Sequence, residues 1–305
     1  MVRNYVLPIA TALALLTGTA TQAQDALALA APTAQVVPED SGNERFLMPR
    51  PQQDVLAARP DYHLSWKVDA PITAAGTAWT LWAFTHVYDK DTSTLAEIQA
   101  LKKEDVNSFD RWAAGKDSEA ADANSNYLFY GLIPAPLVLA GLDPAIRKDF
   151  WKVGALYLET MAITGTLYTG ATFFVDRYRP ETYNFDKPAS ERVDGNYKNA
   201  FFAGHVANVG AISFFTAKIF HDYHPNSPWR WAFWGGAALA TGATAYMRHE
   251  AGKHWPTDLA LGTAVGVAAG ILVPQLHKKL RADGTGLRIS PYIGQGTGMS
   301  IAYRF

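Results

Sequence analysis

The stretch MRHEAGKHWPTD, residues 247–258, joins one apolar segment to the next. Arg248, His254 and Asp258 stand within it at spacings of six and four residues. A guanidinium group, an imidazole and a carboxylate at one junction are unusual between apolar helices, because burying such groups costs free energy unless they are paired or bind a ligand. The stretch therefore predicts a bundle of helices with a polar site at one end.

Composition excludes several classes of protein. The 305 residues carry a net charge of −1 with neutral histidines, so the chain lacks the positive charge that binding to nucleic acid requires. There are no cysteines, which excludes disulfides, cysteine nucleophiles and thiolate metal sites.

The N-terminus is typical of an exported protein. Arg3 precedes the apolar run YVLPIATALALLTGTA, and small residues follow it near Ala23. This pattern predicts a signal peptide over residues 1–23, with an uncleaved first membrane helix as the alternative. Residues 24–70 are rich in Ala, Pro, Gln and Asp and predict an extended leader.

Residues 71–280 predict an all-α domain, a bundle of about six core helices. Pro134 and Pro136 should kink or break the second apolar segment. Glu159 lies inside the third, where we expect it to pair with a neighbouring polar group. The apolar segments are 71–88, 126–142, 152–175, 205–220, 229–247 and 258–277.

Two further regions differ from the core segments. Residues 95–124 are charged, with apolar residues at helical intervals, and predict one or two peripheral amphipathic helices. Residues 285–305 alternate apolar and other residues around closely spaced glycines, which predicts a short C-terminal β-hairpin. One interpretation is that the hairpin packs on the bundle. The other is that it resembles the last strand of an outer-membrane barrel, although one hairpin cannot close a barrel.

Three polar clusters stand at the ends of predicted helices. Arg179 lies in RYRP after the third apolar segment, Gly204 and His205 open the fourth, and Arg248 and His254 lie in the junction already quoted. Antiparallel helices would bring these clusters to one face of the bundle. Arginines and a helix N-terminus suit phosphate oxygens, and two imidazoles can supply a nucleophile and an acid. No metal or cofactor is needed, because the arginines neutralise the phosphate charge.

The clusters resemble the superfamily of type 2 phosphatidic acid phosphatases, bacterial acid phosphatases and vanadium haloperoxidases. Its signature is Lys-x6-Arg-Pro, then Pro-Ser-Gly-His, then Ser-Arg-x5-His-x3-Asp, and the resemblance covers roughly residues 125–277, with the motifs within 172–258. It implies that His254 forms a phosphohistidine, Asp258 orients His254, and His205 protonates the leaving group. It also implies that the phosphate-binding residues are Arg179, Gly204 and Arg248.

The chain departs from the signature at Thr172, Phe202, Ala203 and Met247. Thr172 replaces the lysine and Ala203 the serine, so one phosphate-binding cation and one hydroxyl donor are missing. Each loss could cost about 2–4 kcal/mol of transition-state stabilisation if nothing replaces it. The basic residues that could replace the lysine are Arg177, Lys198 and Lys253.

These observations predict a cell-envelope phosphatase, periplasmic or membrane-associated, that acts on a lipid or isoprenoid phosphate or on a small phosphate ester. The mean hydropathy of −0.07 is low for a six-span membrane protein, although membrane association is expected. One alternative is a haloperoxidase that holds vanadate on His254. Another is a weakened or non-catalytic homologue that serves as an envelope interaction protein.

Overall fold

The computed structural model describes residues 60–278, 286–293 and 297–304. The predicted signal peptide and the predicted leader up to residue 59 lie outside the described residues. The described part of the chain is mostly helical, as the apolar segments predict. The α-helices are α1 (Asp69–Val87), α2 (Leu95–Ala100), α3 (Glu119–Leu132), α4 (Ala135–Leu142), α5 (Phe150–Phe174), α6 (Gly204–Tyr223), α7 (Trp229–Glu250) and α8 (Pro256–His277).

Local sequence signals explain several helix ends. α3 ends at Leu132 and α4 begins at Ala135, which is the interruption that the two prolines predict. In the peripheral region, Thr94 and Glu97 form a capping box that starts α2. The rest of that region forms short 3₁₀ turns before α3, so it supplies one short helix rather than two.

Small residues set the distance between α6 and α8. Gly262, Gly266 and Gly270 lie one turn apart on α8 and face the backbone of the N-terminal half of α6. A Cβ atom on Gly266 would lie 2.2 Å from the carbonyl oxygen of Ala207, so no larger residue fits without moving backbone. This close approach brings the first turns of both helices together, and the amide of Ala203 donates to the carbonyl of Asp258 at 3.2 Å.

The largest apolar cluster lies between α5 and α6, away from the start of α6. Leu156, Ile212, Phe215 and Ile219 are almost fully buried there. The cluster holds the two helices in register and leaves their other ends for polar residues.

The connection between α5 and α6 folds back on itself. The amide of Arg177 donates to the carbonyl of Lys198 at 2.9 Å, and the amide of Arg179 donates to the carbonyl of Tyr197 at 2.8 Å. The amide of Ala200 returns a bond to the carbonyl of Arg177 at 3.1 Å. This pairing fixes the backbone on both sides of Arg179.

At the C-terminus, two stretches are extended, Gly286–Ile293 and Thr297–Arg304. The β-hairpin expected over residues 285–305, and its packing on the bundle, stay predictions.

Among the described residues, two helical stretches are long and apolar enough to cross a membrane, judged by length and composition alone. They are residues Glu119–Leu142, which include α3 and α4, and α8. Because the core helix of a soluble protein can meet the same criterion, this is weak evidence for a membrane span.

Candidate active site

The junction between α7 and α8 brings Arg248 and His254 to the same end of the bundle. α7 ends at Glu250, and Gly252 then takes a left-handed conformation with φ of +65°. A side chain at Gly252 would also collide with the carbonyl oxygen of Lys116, so this tight turn requires glycine. The turn leaves Arg248 in the last turn of α7 and His254 just before α8.

His254 is buried and its ring is held by one nitrogen. Its Nδ1 donates a hydrogen bond to the carbonyl oxygen of Ala200 at 2.7 Å, and its relative exposure is 3 %. In the neutral ring the lone pair therefore lies on Nε2. Burial, followed by the charges of Arg248 and Arg179, holds the pKa of His254 well below its usual value. The ring is thus neutral at physiological pH, as a nucleophile must be.

His205 occupies the first turn of α6 and contacts α3. Its Nε2 lies 2.8 Å from Oδ1 of Asn126, and its ring packs against Phe129 at 5.0 Å between centroids. Burial, then Arg248 and Arg179, lower the pKa of His205 to about 3. The same two arginines act on both imidazoles, which places all four groups in one electrostatic environment.

The two arginines are buried and incompletely paired. Arg248 donates through Nη1 to Asp122 and, at 3.3 Å, to Ser125. Arg179 donates through Nη1 to Glu181 at 3.4 Å and through Nη2 to Asn196 at 3.1 Å. The Nε of each arginine has no hydrogen-bond partner among the described residues. Buried donors of this kind are normally satisfied, so two on neighbouring cations indicate a site for an anion.

The start of α6 adds to this positive environment. No side chain caps the helix at Ala203, and Gly204 is buried at its first position. A Cβ on Gly204 would lie 2.5 Å from the ring of Tyr168, so glycine is required there by close packing. Free amides at a buried helix N-terminus bind anions.

Asp258 is placed differently from the prediction. Its carboxylate forms an ion pair with Arg177 and accepts a hydrogen bond from the amide of Trp255 at 2.9 Å. The ring nitrogen of His254 that Asp258 should hold is bonded to Ala200 instead. Asp258 therefore caps the start of α8 and anchors Arg177, and backbone rather than carboxylate orients the nucleophile.

Three candidates to replace the missing lysine have different partners. Thr172 itself is fully buried and donates to the carbonyls of Tyr168 and Phe201, so it offers no cation. Arg177 pairs with two carboxylates, from Asp110 and Asp258. Its position as a helix anchor makes it unsuited to bind substrate.

Of the two lysine candidates, Lys198 and Lys253, the one beside Arg179 is Lys253. Lys198 donates to the carbonyl of Asp91 at 2.9 Å in an exposed contact. Lys253 donates to Glu181 at 2.7 Å, the same carboxylate that contacts Arg179. Lys253 and Arg179 line one cavity of about 320 Å³, which the carboxylates of Glu181, Glu191 and Asp194 also border. Among the three candidates, Lys253 is the one that shares a partner with Arg179, which makes it the candidate replacement cation.

The contribution of α3 was not predicted from the sequence. Asp122, Ser125 and Asn126 supply the partners of Arg248 and His205, and they lie just before or at the first residue of the apolar segment 126–142. Their spacing of three and four residues places them on one helix face. Three polar residues on the face that leads into an apolar run were the available signal.

Comparison with known proteins agrees with the motifs. Residues 154–282 match the PAP2 superfamily, which confirms the resemblance. The site residues from Thr172 to Asp258 all lie inside this segment.

Two relatives come from Porphyromonas gingivalis. A lipid A 4'-phosphatase is 28% identical over 140 residues, 45% of this chain and 55% of the relative. A lipid A 1-phosphatase is 28% identical over 159 residues, 51% of this chain and 31% of the relative. The chain therefore spans about half of the length of the first and less than a third of the second. No solved structure matches the chain.

Proposed function

We propose that this protein is a phosphatase that hydrolyses the phosphate monoester of a lipid through a phosphohistidine on His254. One observation carries the proposal. The ring of His254 is anchored through Nδ1, which leaves the lone pair on Nε2, and the two buried arginines whose charges lower its pKa each have an unpaired Nε–H. The match to the PAP2 superfamily and the phosphatase relatives support this type of reaction.

The proposed reaction has two steps. In the first, Nε2 of His254 attacks phosphorus, the bond from phosphorus to the ester oxygen breaks, and His205 gives a proton to that oxygen. In the second, water attacks phosphorus, the bond to Nε2 breaks, and His205 takes a proton from the water. Arg179 and Arg248 stabilise the charge on the phosphoryl oxygens in both steps. The mechanism uses no cofactor, because these side chains supply both the charge and the proton.

Several observations support a lipid as the substrate. Both relatives are lipid A phosphatases by name. The described helices expose large apolar side chains, among them Trp151, Phe174 and Leu239, each at least 74 % exposed. Exposed apolar surface of this extent is typical of contact with a membrane or another protein. We place the protein at a membrane of the cell envelope, and export by a signal peptide is part of this proposal.

The decisive test is the fate of the phosphoryl group. The full chain would be incubated with a ³²P-labelled lipid phosphate and quenched in alkali, where phosphohistidine survives. His254→Gln should abolish the labelled protein and lower kcat by about 10⁴-fold or more. His249→Gln is the matched control, since His249 is a buried histidine in the same stretch that has no role in the proposed reaction.

Label on the His254→Gln protein, or unchanged turnover by it, would overturn the mechanism. Failure of the wild-type protein to hydrolyse any of a panel of lipid and soluble phosphates would overturn the function itself. A melting temperature for each variant separates loss of chemistry from loss of fold.

A further inference from the structure

A second polar cluster lies at the opposite end of the bundle. It consists of Asp69 at the start of α1, Glu159 within α5 and His277 at the end of α8. One ligand atom from each residue lies within 4.8 Å of the other two. His277 follows Asp258 by 19 residues of helix, or about 28 Å at 1.5 Å per residue, so this cluster is separate from the phosphate site.

The hydrogen bond of His277 determines which ring nitrogen faces the carboxylates. Its Nδ1 donates to the carbonyl oxygen of Val273 at 2.7 Å. In the neutral ring the lone pair is then on Nε2. That nitrogen lies 3.4 Å from Asp69 Oδ1 and 3.3 Å from Glu159 Oε2. A lone pair that faces two carboxylate oxygens is repulsive unless a cation lies among them.

The spacings match ligands of a shared metal ion better than a direct ion pair. Charge-assisted N–H···O bonds are about 2.7–2.9 Å long, shorter than either separation. Two ligands placed about 2.1 Å from a tetrahedral zinc ion lie about 3.4 Å apart. A histidine that donates its Nδ1–H to a backbone carbonyl is also the usual arrangement around a metal bound through Nε2.

Glu159 supplies an independent observation. Its side chain is 5 % exposed, and its Oε2 has no hydrogen-bond partner among the described residues. Two nearby lysines, Lys218 and Lys278, both pair with Asp222, so their charge is already balanced. A polar partner for Glu159 was predicted from the sequence, and His277 is that neighbour.

We propose that Asp69, Glu159 and His277 bind one divalent ion of the zinc class, with a fourth position open to water. An imidazole with two carboxylates suits zinc and similar first-row ions, whereas magnesium and calcium prefer oxygen ligands alone. The ion joins the start of α1, the middle of α5 and the end of α8. Its role is to hold this end of the bundle together, and the proposal is independent of the phosphatase reaction.

The test measures zinc binding directly. The full chain would be stripped with EDTA and dialysed, and zinc chloride would be titrated calorimetrically, with metal content checked by mass spectrometry. We expect one zinc per chain and a higher melting temperature with zinc. His277→Gln and Glu159→Gln should weaken binding at least 10-fold and remove the thermal shift. His224→Gln is the matched control, because His224 pairs with the single carboxylate of Asp143 and should bind zinc as the wild type does.

A protein that takes up no zinc at 100 µM, or a His277→Gln variant that binds as tightly as the wild type, would overturn the proposal. Cobalt offers a second readout that tolerates a destabilised variant. Tetrahedral cobalt in the wild type should give intense visible absorption, and its absence would also count against the site.

Discussion

Anion binding should charge His205, and the structure gives the size of the effect. The pKa of His205 is lowered to about 3 by burial and by Arg248 and Arg179. At pH 5.5 less than about 1 % of this ring is protonated before an anion binds. A dianion neutralises the two arginines and attracts the imidazolium, so the pKa should rise to at least its ordinary value, about 6.5. Binding of each anion should therefore be accompanied by the uptake of about one proton.

Simple electrostatics accounts for a pKa shift of this size. Restoring the pKa from about 3 to about 6.5 requires about 5 kcal/mol of favourable interaction. A dianion about 4 Å from the ring supplies about 8 kcal/mol at an effective dielectric constant of 20. Proton uptake should decrease at higher pH, because the ring of His205 no longer holds its proton once the pH exceeds the pKa of His205 in the complex.

Sulfate is the appropriate probe, because it does not change its own charge near pH 5.5. Calorimetry in two buffers of different ionisation enthalpy counts the protons taken up. We expect about one for the wild type and for His254→Gln, and a clear reduction for His205→Gln. Sulfate that binds with less than about 0.2 proton taken up, or does not bind at all, would refute this account of the site.

Three other substitutions test the remaining features. Lys253→Ala should lower kcat/KM for a lipid phosphate by about 10²–10³-fold if Lys253 replaces the missing lysine, whereas Lys198→Ala should leave it unchanged. Asn126→Asp should move the alkaline limb of the pH–rate profile to higher pH, because a carboxylate beside His205 raises the pKa of the ring that must be protonated to act as the acid. Gly266→Val should destabilise the fold by about 3 kcal/mol or more and lower the melting temperature, since its Cβ would collide with backbone of α6.

Each of these has an outcome that contradicts it. Equal rates for the two lysine variants would exclude Lys253 as the substitute cation. A downward shift or no shift in the Asn126→Asp profile would show that His205 does not supply the proton. Gly242→Ala is the control for Gly266, because Gly242 has open space around its Cβ position and the change should be neutral or mildly stabilising. Comparable loss of stability in both variants would mean that helix contact at Gly266 is not the cause.

Patterns along the chain predicted the helices well. Apolar segments of helical length give an all-α fold wherever they pack together, and prolines mark the break between α3 and α4 because they cannot donate a helical hydrogen bond. The glycines of α8 carried a further signal. Their four-residue spacing is typical of close helix contact, but no such contact was predicted, and the partner helix is identified only by the structure.

Residue types and spacing by themselves predicted the candidate chemical groups: fixed cations at Arg179 and Arg248, and imidazoles at His205 and His254, each beside a helix end. The partners of these groups were decided by the tertiary structure. Asp258 lies four residues after His254 but turns to Arg177, while the carbonyl of Ala200, 54 residues away, holds the ring. The cluster of Asp69, Glu159 and His277 draws on three distant segments. Hydrogen bonds depend on distance and direction in space, and only the packing of the helices fixes these for residues far apart in the chain.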